Sequence, residues 1–252
     1  AMTAFNSKEG GFFLTTVGRV QTPTLALVVR REMEIRSFVP QAYWNVRATF
    51  GIASGEYEGM WFDPDFKKDK NNPDLKAERL WTKEEAEKIL AACRGKTGTV
   101  EEKSKRTHQA APQLFDLTSL QREANGRFGF SAKTTLSIAQ ALYEKHKVLT
   151  YPRTDARALP EDYIPVVNQT ISSLTGLDDY RLYGDKILQH SWVVPDKRIF
   201  NNAGISDHFA IIPTGQLPKT LSEAEQKIYD LVVRRFLSQF FPAAEYDVTT
   251  RI

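Results

Sequence analysis

The sequence predicts an α+β, multidomain protein in which a β-rich module precedes a mostly helical domain. Apolar and polar residues alternate from Trp44 to Phe50, which is typical of a half-buried strand, and residues 57–62 are expected to pair with it as a β-hairpin. Beyond Pro112 the apolar residues recur at helical spacing instead. We therefore place the main domain boundary at residues 110–112.

Three regions follow from these changes of pattern. Residues 1–38 form a short helical region, with a helix expected from about Thr22 to Ser37. Residues 39–110 form the β-rich module, and residues 241–252 continue it as an alternating strand. Residues 111–240 form the helical domain. Because the last strand pattern runs to the final residue, we expect the sequence to be part of a longer protein.

Capping residues predict where several helices begin. A Ser or Thr followed three residues later by Glu or Gln can form a capping box. Such pairs are Thr82 with Glu85, Thr118 with Gln121, and Ser222 with Glu225. A helix opened by Ser131 follows a glycine-containing turn and precedes a short strand, which favours a helix-turn-helix or winged-helix-like arrangement. Another helix is expected over residues 160–174, whereas residues 176–203 have no clear pattern.

The apolar spacing also predicts the inner face of each helix. These faces are Leu25, Val28, Val29 and Met33 in the first helix, Leu136, Ala139, Leu142 and Tyr143 after Ser131, and Ile228, Val232, Phe236 and Phe240 in the last. Pro242 is expected to end the last helix. An extended strand is expected from Thr99 to Thr107.

Composition limits the class of protein. The 252 residues are 41% hydrophobic and 26% charged, as in soluble globular proteins. No apolar run approaches the roughly 20 residues of a membrane helix, and no secretory leader is evident, so we expect a cytoplasmic protein. Cys93, the only cysteine, excludes an internal disulfide and is expected to be buried. Ten basic and six acidic residues between 97 and 160 weakly favour a polyanionic partner.

The segment Val148 to Asp155 is the strongest candidate site. If its backbone is extended, Tyr151 and Arg153 project to the same side, because side chains alternate in a strand. A guanidinium binds phosphate oxygens through two donors, and a phenol can attack phosphorus to give a covalent link. The alternative is a surface strand end at which the tyrosine covers a core and Arg153 pairs with Asp155. A lone Tyr-Pro-Arg does not exclude it.

Three further segments accompany the Tyr-Pro-Arg sequence in a fixed order. They are GRVQTPTL at 18–25, GFSAKTTLSIAQALYE at 129–144 and SDHFAIIPT at 206–214. Together these segments resemble the type IA DNA topoisomerases, and the Tyr-Pro-Arg variant resembles the topoisomerase III branch. The resemblance extends over nearly the whole chain.

The resemblance implies specific roles. Tyr151 would be the nucleophile that holds the 5′ end of a cut DNA strand, Arg153 the phosphate clamp, and His208 a donor or proton shuttle at the phosphate. It also assigns DNA contacts to Thr16, Arg19, Gln21 and Thr154. Residues 1–38 would belong to the domain that forms the DNA groove, and the β-rich module would be a hinge. The intact enzymes of this family pass a strand through the gap and reseal it without ATP, and a bacterial, cytoplasmic enzyme is expected here.

The family also uses Mg²⁺, bound by an acidic module that would precede this chain. No D-x-D-x-E segment occurs here, so the ligands are expected outside the sequence and the isolated chain is expected to be inactive. Single-stranded DNA is the expected partner, RNA is a second candidate, and the protein is expected to be monomeric. Two alternatives stay open. One is a non-catalytic single-stranded nucleic-acid-binding module in which Tyr151 stacks on a base. The other is an interaction scaffold.

Overall fold

The computed structural model describes residues 19–252, so Thr16 lies outside the described residues. The chain divides into two compact units, one ending at Thr99 and the other covering Val100–Ile252. Helices and strands occur in both, which confirms the predicted α+β class. None of the helices among the described residues has the length and apolarity needed to span a bilayer.

The first unit contains helix α1 (Gln21–Arg36), strands β1 (Arg47–Ile52) and β2 (Gly55–Met60), and helix α2 (Lys83–Cys93). The two strands form the predicted antiparallel hairpin, in which Phe50 lies opposite Tyr57. The expected strand start at Trp44 is instead a single bridge to Leu80. The predicted capping box of α2 is present, since the Thr82 hydroxyl accepts from the Glu85 N–H at 3.3 Å.

Two burial predictions for this unit are wrong. The predicted inner face of α1 is solvent-exposed at Leu25, Val28, Val29 and Met33. Cys93 is also exposed, because no residue of α2 is buried. Leu80 is the only buried residue between positions 19 and 99. Within this part of the chain, apolar periodicity therefore identifies a helix correctly but does not show that the apolar face of the helix is buried.

The second unit begins and ends with a two-stranded ribbon. Strand β3 (Glu102–Gln109) pairs antiparallel with β4 (Ala244–Arg251), so that Glu102 lies opposite Arg251. The pairing brings the end of the chain to the strand that precedes the helices. The domain boundaries at 39–110 and 241–252 stay a prediction, and the ribbon belongs to the same compact unit as the helices.

Five α-helices form the body of the second unit. They are α3 (Leu117–Phe128), α4 (Ala132–Glu144), α5 (Ile164–Leu174), α6 (Asp178–Gln189) and α7 (Glu223–Ser238). Gly129, in the left-handed conformation, separates α3 from α4, and Ser131 caps α4 as predicted. Helix α6 lies within residues 176–203, where the sequence has no clear pattern. Pro165 is accommodated in the first turn of α5, where its missing N–H costs nothing.

Helix α7 contributes the centre of the core. Ile228, Val232, Phe236 and Phe240 are all buried, as predicted. Val233 and Leu237 are buried as well, so the buried face of α7 is wider than the predicted row of apolar residues. The helix ends at Ser238 rather than at Pro242, and Phe240 enters the core from the turn that follows.

The predicted capping box at Thr118 and Gln121 is wrong, because the N-cap of α3 is Asp116, two residues earlier. Asp116 is the cap: its carboxylate accepts from the Ser119 N–H at 2.6 Å and from Arg157 Nε at 2.8 Å. Burial alone would raise the pKa of this carboxyl, but the Ser119 hydrogen bonds and Arg157 outweigh it and lower the pKa. Gln121 instead donates to the Ala132 carbonyl and joins α3 to α4.

Asp116→Ala removes both the helix cap and the partner of Arg157, so we expect the free energy of unfolding to fall by about 2 kcal/mol. Asp116→Asn keeps an oxygen for the Ser119 N–H, so its loss should be about 1 kcal/mol. Urea denaturation at pH 7 measures both. Thr118→Ala is the matched control and should have little effect. Equal losses for the two Asp116 variants would contradict the capping role.

The start of α7 is linked to the segment that precedes Tyr151. The Ser222 N–H and hydroxyl each donate to Glu225 at 2.8 Å, and His146 Nε2 lies 3.0 Å from the other Glu225 oxygen. The Ser222 hydrogen bonds, and then His146, lower the pKa of Glu225 to about 2. The charged carboxylate therefore stabilises the folded chain.

Glu225→Gln preserves the capping geometry and removes the charge. Because the folded pKa lies below the ordinary value of 4.5, the charge-dependent stability is complete above pH 4.5 and is lost as the pH falls toward 2. We expect the stability difference between wild type and Glu225→Gln to be large at pH 6 and to shrink by pH 3. Glu144→Gln, which removes an exposed carboxylate at the end of α4, is the control. A difference independent of pH would refute this assignment.

Candidate active site

Two of the motif segments lie side by side and are joined through their backbones. The Thr214 N–H donates to the Val148 carbonyl and the Thr150 N–H to the Ile212 carbonyl, both at 3.0 Å. The Thr150 hydroxyl adds a hydrogen bond to the Ala210 carbonyl at 3.1 Å and accepts from the Ile212 N–H at 2.9 Å. These contacts form a short antiparallel ladder, in which Leu149 and Pro213 form the one formal β-bridge between the segments.

Beyond the ladder, the tyrosine segment (residues 148–157) continues in an extended conformation. Pro152, Thr154 and Ala156 are buried, whereas Arg153, Asp155 and Arg157 between them are exposed. This alternation agrees with the expectation that Tyr151 and Arg153 project to one side. Tyr151 and Arg153 therefore lie on the open side of a segment whose other side is packed in the core.

Thr154 joins the tyrosine segment to His208. Its hydroxyl donates to the His208 carbonyl at 3.0 Å and accepts from the Ala156 N–H at 3.0 Å. The side chain is only 8% exposed. A DNA contact from Thr154 stays a prediction, and its hydroxyl is engaged in holding the two motif segments together.

The ring of Tyr151 lies between two other rings. The His208 ring is tilted against it with centroids 4.4 Å apart, and Tyr143 on α4 makes an edge contact at 5.4 Å. Tyr151 is half-buried and His208 is exposed, so solvent reaches both. The structure therefore brings the predicted nucleophile and the predicted histidine into contact.

Arg153 extends along α4 toward Gln140. With the Gln140 amide oxygen turned toward the guanidinium, Nε and Nη2 both donate to it at 3.3 Å. Asp155 accepts from the Ser206 hydroxyl at 3.1 Å. The alternative in which Arg153 pairs with Asp155 is thus not observed among the ion pairs of residues 19–252. The guanidinium is held by a neutral group and keeps its full charge for an anion.

Further cations surround this face. Lys147 lies over the Tyr143 ring, with Nζ 5.6 Å from its centroid. A neighbouring cavity of about 280 Å³ is lined in part by Asp155, Arg157, Lys197 and Arg198. Arg157 is paired with Asp116 and Arg198 with Asp196, and only Arg157 belongs to the basic stretch that the sequence indicated around the tyrosine.

The structure adds two residues to the predicted set. The sequence assigned Tyr143 to the inner face of its helix and gave Gln140 no role. In the structure, these residues contact Tyr151 and Arg153 respectively. The signal available in the sequence was their spacing of three, which puts them on one helix face just before the tyrosine segment.

The other predicted DNA contacts lie in the first unit. Arg19 is exposed in the turn before α1, and Gln21 is the first residue of that helix. Side chains and backbone N–H groups at a helix start are suited to binding phosphate. Their DNA contacts, and that of Thr16, stay predictions.

No group of three or more His, Cys, Asp or Glu side chains among residues 19–252 is arranged to hold a metal ion. The Mg²⁺ that the family resemblance implies therefore does not fit the described residues. No step of the reaction considered below is assigned to a metal bound by them.

Comparisons with known proteins identify the family. A family model described as DNA topoisomerase matches residues 1–252. DNA topoisomerase 3 of Bacillus subtilis is 40% identical over 235 residues, and that of Bacillus cereus is 39% identical over 236. Each match covers 92% of this chain and 30% of the relative.

A solved structure of similar fold is also a topoisomerase. Full-length topoisomerase I from Thermotoga maritima is similar with a TM-score of 0.56 and 25% identity, over 94% of this chain and 36% of that one. The chain thus spans about a third of the length of the proteins that it matches. It belongs to the DNA topoisomerase family, and its curated relatives are of the topoisomerase III kind.

Proposed function

We propose that Tyr151 is the nucleophile of a type IA DNA topoisomerase, which cleaves one DNA strand through a 5′-phosphotyrosyl intermediate. The observation that carries this proposal is the contact between Tyr151 and His208, on an open face that Arg153 shares. A buried tyrosine that covered a core would not leave its ring accessible beside an exposed imidazole and guanidinium.

The phenolic oxygen of Tyr151 attacks the phosphorus of a backbone phosphodiester. A bond from phosphorus to this oxygen forms, the bond to the 3′ oxygen breaks, and the 3′ oxygen leaves as a hydroxyl after taking up a proton. The His208 imidazole, beside the ring, is suited to accept or relay the phenolic proton. The reverse attack by the 3′ hydroxyl reseals the strand. Because one phosphodiester is exchanged for another, no ATP is needed.

Arg153 acts on the phosphate itself. Charge develops on the non-bridging oxygens during the attack, and a guanidinium fixed nearby stabilises that charge. Gln140 holds the guanidinium without neutralising it, so the positive charge is available before DNA binds.

The complete enzyme, of which this chain is the tyrosine-bearing part, passes a second strand through the gap. Single-stranded DNA is the proposed substrate, RNA is a second candidate, and the enzyme acts as a cytoplasmic monomer. Thr16, Arg19, Gln21 and Thr154 are proposed to contact the DNA. Mg²⁺ would be bound by residues outside this sequence. The alternative is a non-catalytic module in which the half-buried Tyr151 ring stacks on a base.

In the complete enzyme, Tyr151→Phe should abolish the covalent adduct with a labelled single-stranded oligonucleotide, because the attacking oxygen is missing. Denaturing gel electrophoresis after incubation with Mg²⁺ detects the adduct. Tyr183→Phe, a half-exposed tyrosine outside the site, is the control and should form the adduct normally. An adduct in Tyr151→Phe would disprove the proposal. Salt-dependent binding without any adduct in the wild type would favour the non-catalytic module.

Arg153→Ala should slow single-turnover cleavage by roughly 100-fold, because one charged donor to the phosphate is lost. Arg153→Lys should recover only part of the rate, since an ammonium cannot reproduce the planar fork. Quenched-flow measurement of adduct formation at saturating DNA tests both variants. Arg127→Ala, which removes an exposed cation on α3, is the matched control. Equal rates for Arg153→Ala and Arg127→Ala would rule out a specific role.

A further inference from the structure

We propose that Tyr143 and Gln140, on one face of α4, are positioning residues for Tyr151 and Arg153. This inference rests on the function proposed above. It concerns how the side chains of Tyr151 and Arg153 are oriented before DNA binds. Neither residue needs to touch the substrate for this role.

The chain reverses tightly between α4 and the tyrosine segment. The His146 N–H donates to the Ala141 carbonyl at 3.1 Å and the Val148 N–H to the Leu142 carbonyl at 3.0 Å. Lys147, with a φ of 58°, makes the turn in the left-handed region. The tyrosine segment therefore runs back along α4, and only a short turn connects the two.

This chain reversal places two pairs of side chains opposite each other, one pair on α4 and one on the tyrosine segment. Gln140 and Tyr143 are three residues apart and share a helix face. Tyr151 and Arg153 are two residues apart and share a side of an extended segment. Tyr143 meets Tyr151 nearest the turn, and Gln140 meets Arg153 farther from it. Each reactive side chain thus has its own partner on the helix.

Tyr143 restricts the orientation of the Tyr151 ring. Its ring stands at 77° to that of Tyr151, an edge contact that aromatic pairs favour. His208 contacts Tyr151 as well, so the phenol is held between two rings. A ring held in this way directs its oxygen along a fixed line, and small displacements of a nucleophile reduce rates strongly.

Gln140 orients Arg153 while leaving its charge intact. A carboxylate at this position would form a bidentate ion pair with the guanidinium and compete with the phosphate. An amide accepts hydrogen bonds from the same donors more weakly. The neutral side chain can therefore yield the guanidinium to a phosphate when DNA binds.

The test for Tyr143 distinguishes an effect on the orientation of Tyr151 from an effect on DNA binding. In the complete enzyme, Tyr143→Ala and Tyr143→Leu should lower the single-turnover cleavage rate at saturating DNA by roughly 10-fold, with the Kd for single-stranded DNA changed less than about twofold. Tyr143→Phe should retain the wild-type rate, because the contact uses the ring and not the hydroxyl. Tyr183→Ala, on α6, is the matched control. A weaker Kd with an unchanged rate would mean that Tyr143 binds DNA directly, and would overturn the inference.

The test for Gln140 compares two variants of similar size. Gln140→Glu should slow cleavage by roughly 10-fold or more, because the new carboxylate competes for Arg153, and high salt should restore part of the rate. Gln140→Met, which keeps the length but cannot accept strongly, should have a smaller effect. Cleavage by Gln140→Glu at the wild-type rate would contradict the role of Gln140.

The failures of the two proposals are distinguishable. An adduct formed by Tyr151→Phe would disprove the function and this inference together. If Tyr151→Phe is inactive while Tyr143→Leu and Gln140→Glu cleave normally, the function stands and only the positioning roles are wrong. Thermal unfolding of each variant checks that its fold is intact. Tyr143→Leu, which retains apolar bulk, serves in place of Tyr143→Ala if the smaller variant unfolds.

Discussion

The backbone ladder between residues 148–150 and 210–214 is the interaction on which the site depends. It joins segments that are some sixty residues apart in sequence, with hydrogen bonds from Thr150 and Thr214 at 3.0 Å. Its apolar side chains, Leu149 and Ile212 among them, are buried in the core. Because backbone groups in a core must find partners, the ladder has little freedom to shift. Its rigidity fixes where Tyr151 and His208 meet.

One face of the tyrosine segment is packed in the core, and the other face is open to solvent. Buried residues such as Pro152 and Thr154 alternate with the exposed Arg153 and Asp155, so one face of the segment is packed and the other is solvated. Catalytic groups need both properties, since accurate placement requires packing and substrate access requires exposure. The same division is present at α4, whose inner residues enter the core while Gln140 and Tyr143 face the reactive side chains.

Local signals in the sequence identified most elements and the central residues of the site. Ser131 and Ser222 begin helices as predicted, and the hairpin in the first unit has its expected partners. The error at Thr118 has a local cause, because Asp116, two residues earlier, is an equally good cap and also pairs with Arg157. The exposed face of α1 has a different cause, since periodicity reports only which residues could be buried.

The sequence by itself determined the types of the elements, the family resemblance, and the chemistry available at Tyr151, Arg153 and His208. These depend on residue identity and short spacings, which can be read along the chain. Only the tertiary structure decided that His208 contacts Tyr151, that Tyr143 contacts Tyr151 and that Gln140 contacts Arg153. Such contacts depend on how the chain reverses at Lys147 and on the register of two distant segments. Long-range packing sets both, and short spacings along the chain do not encode them.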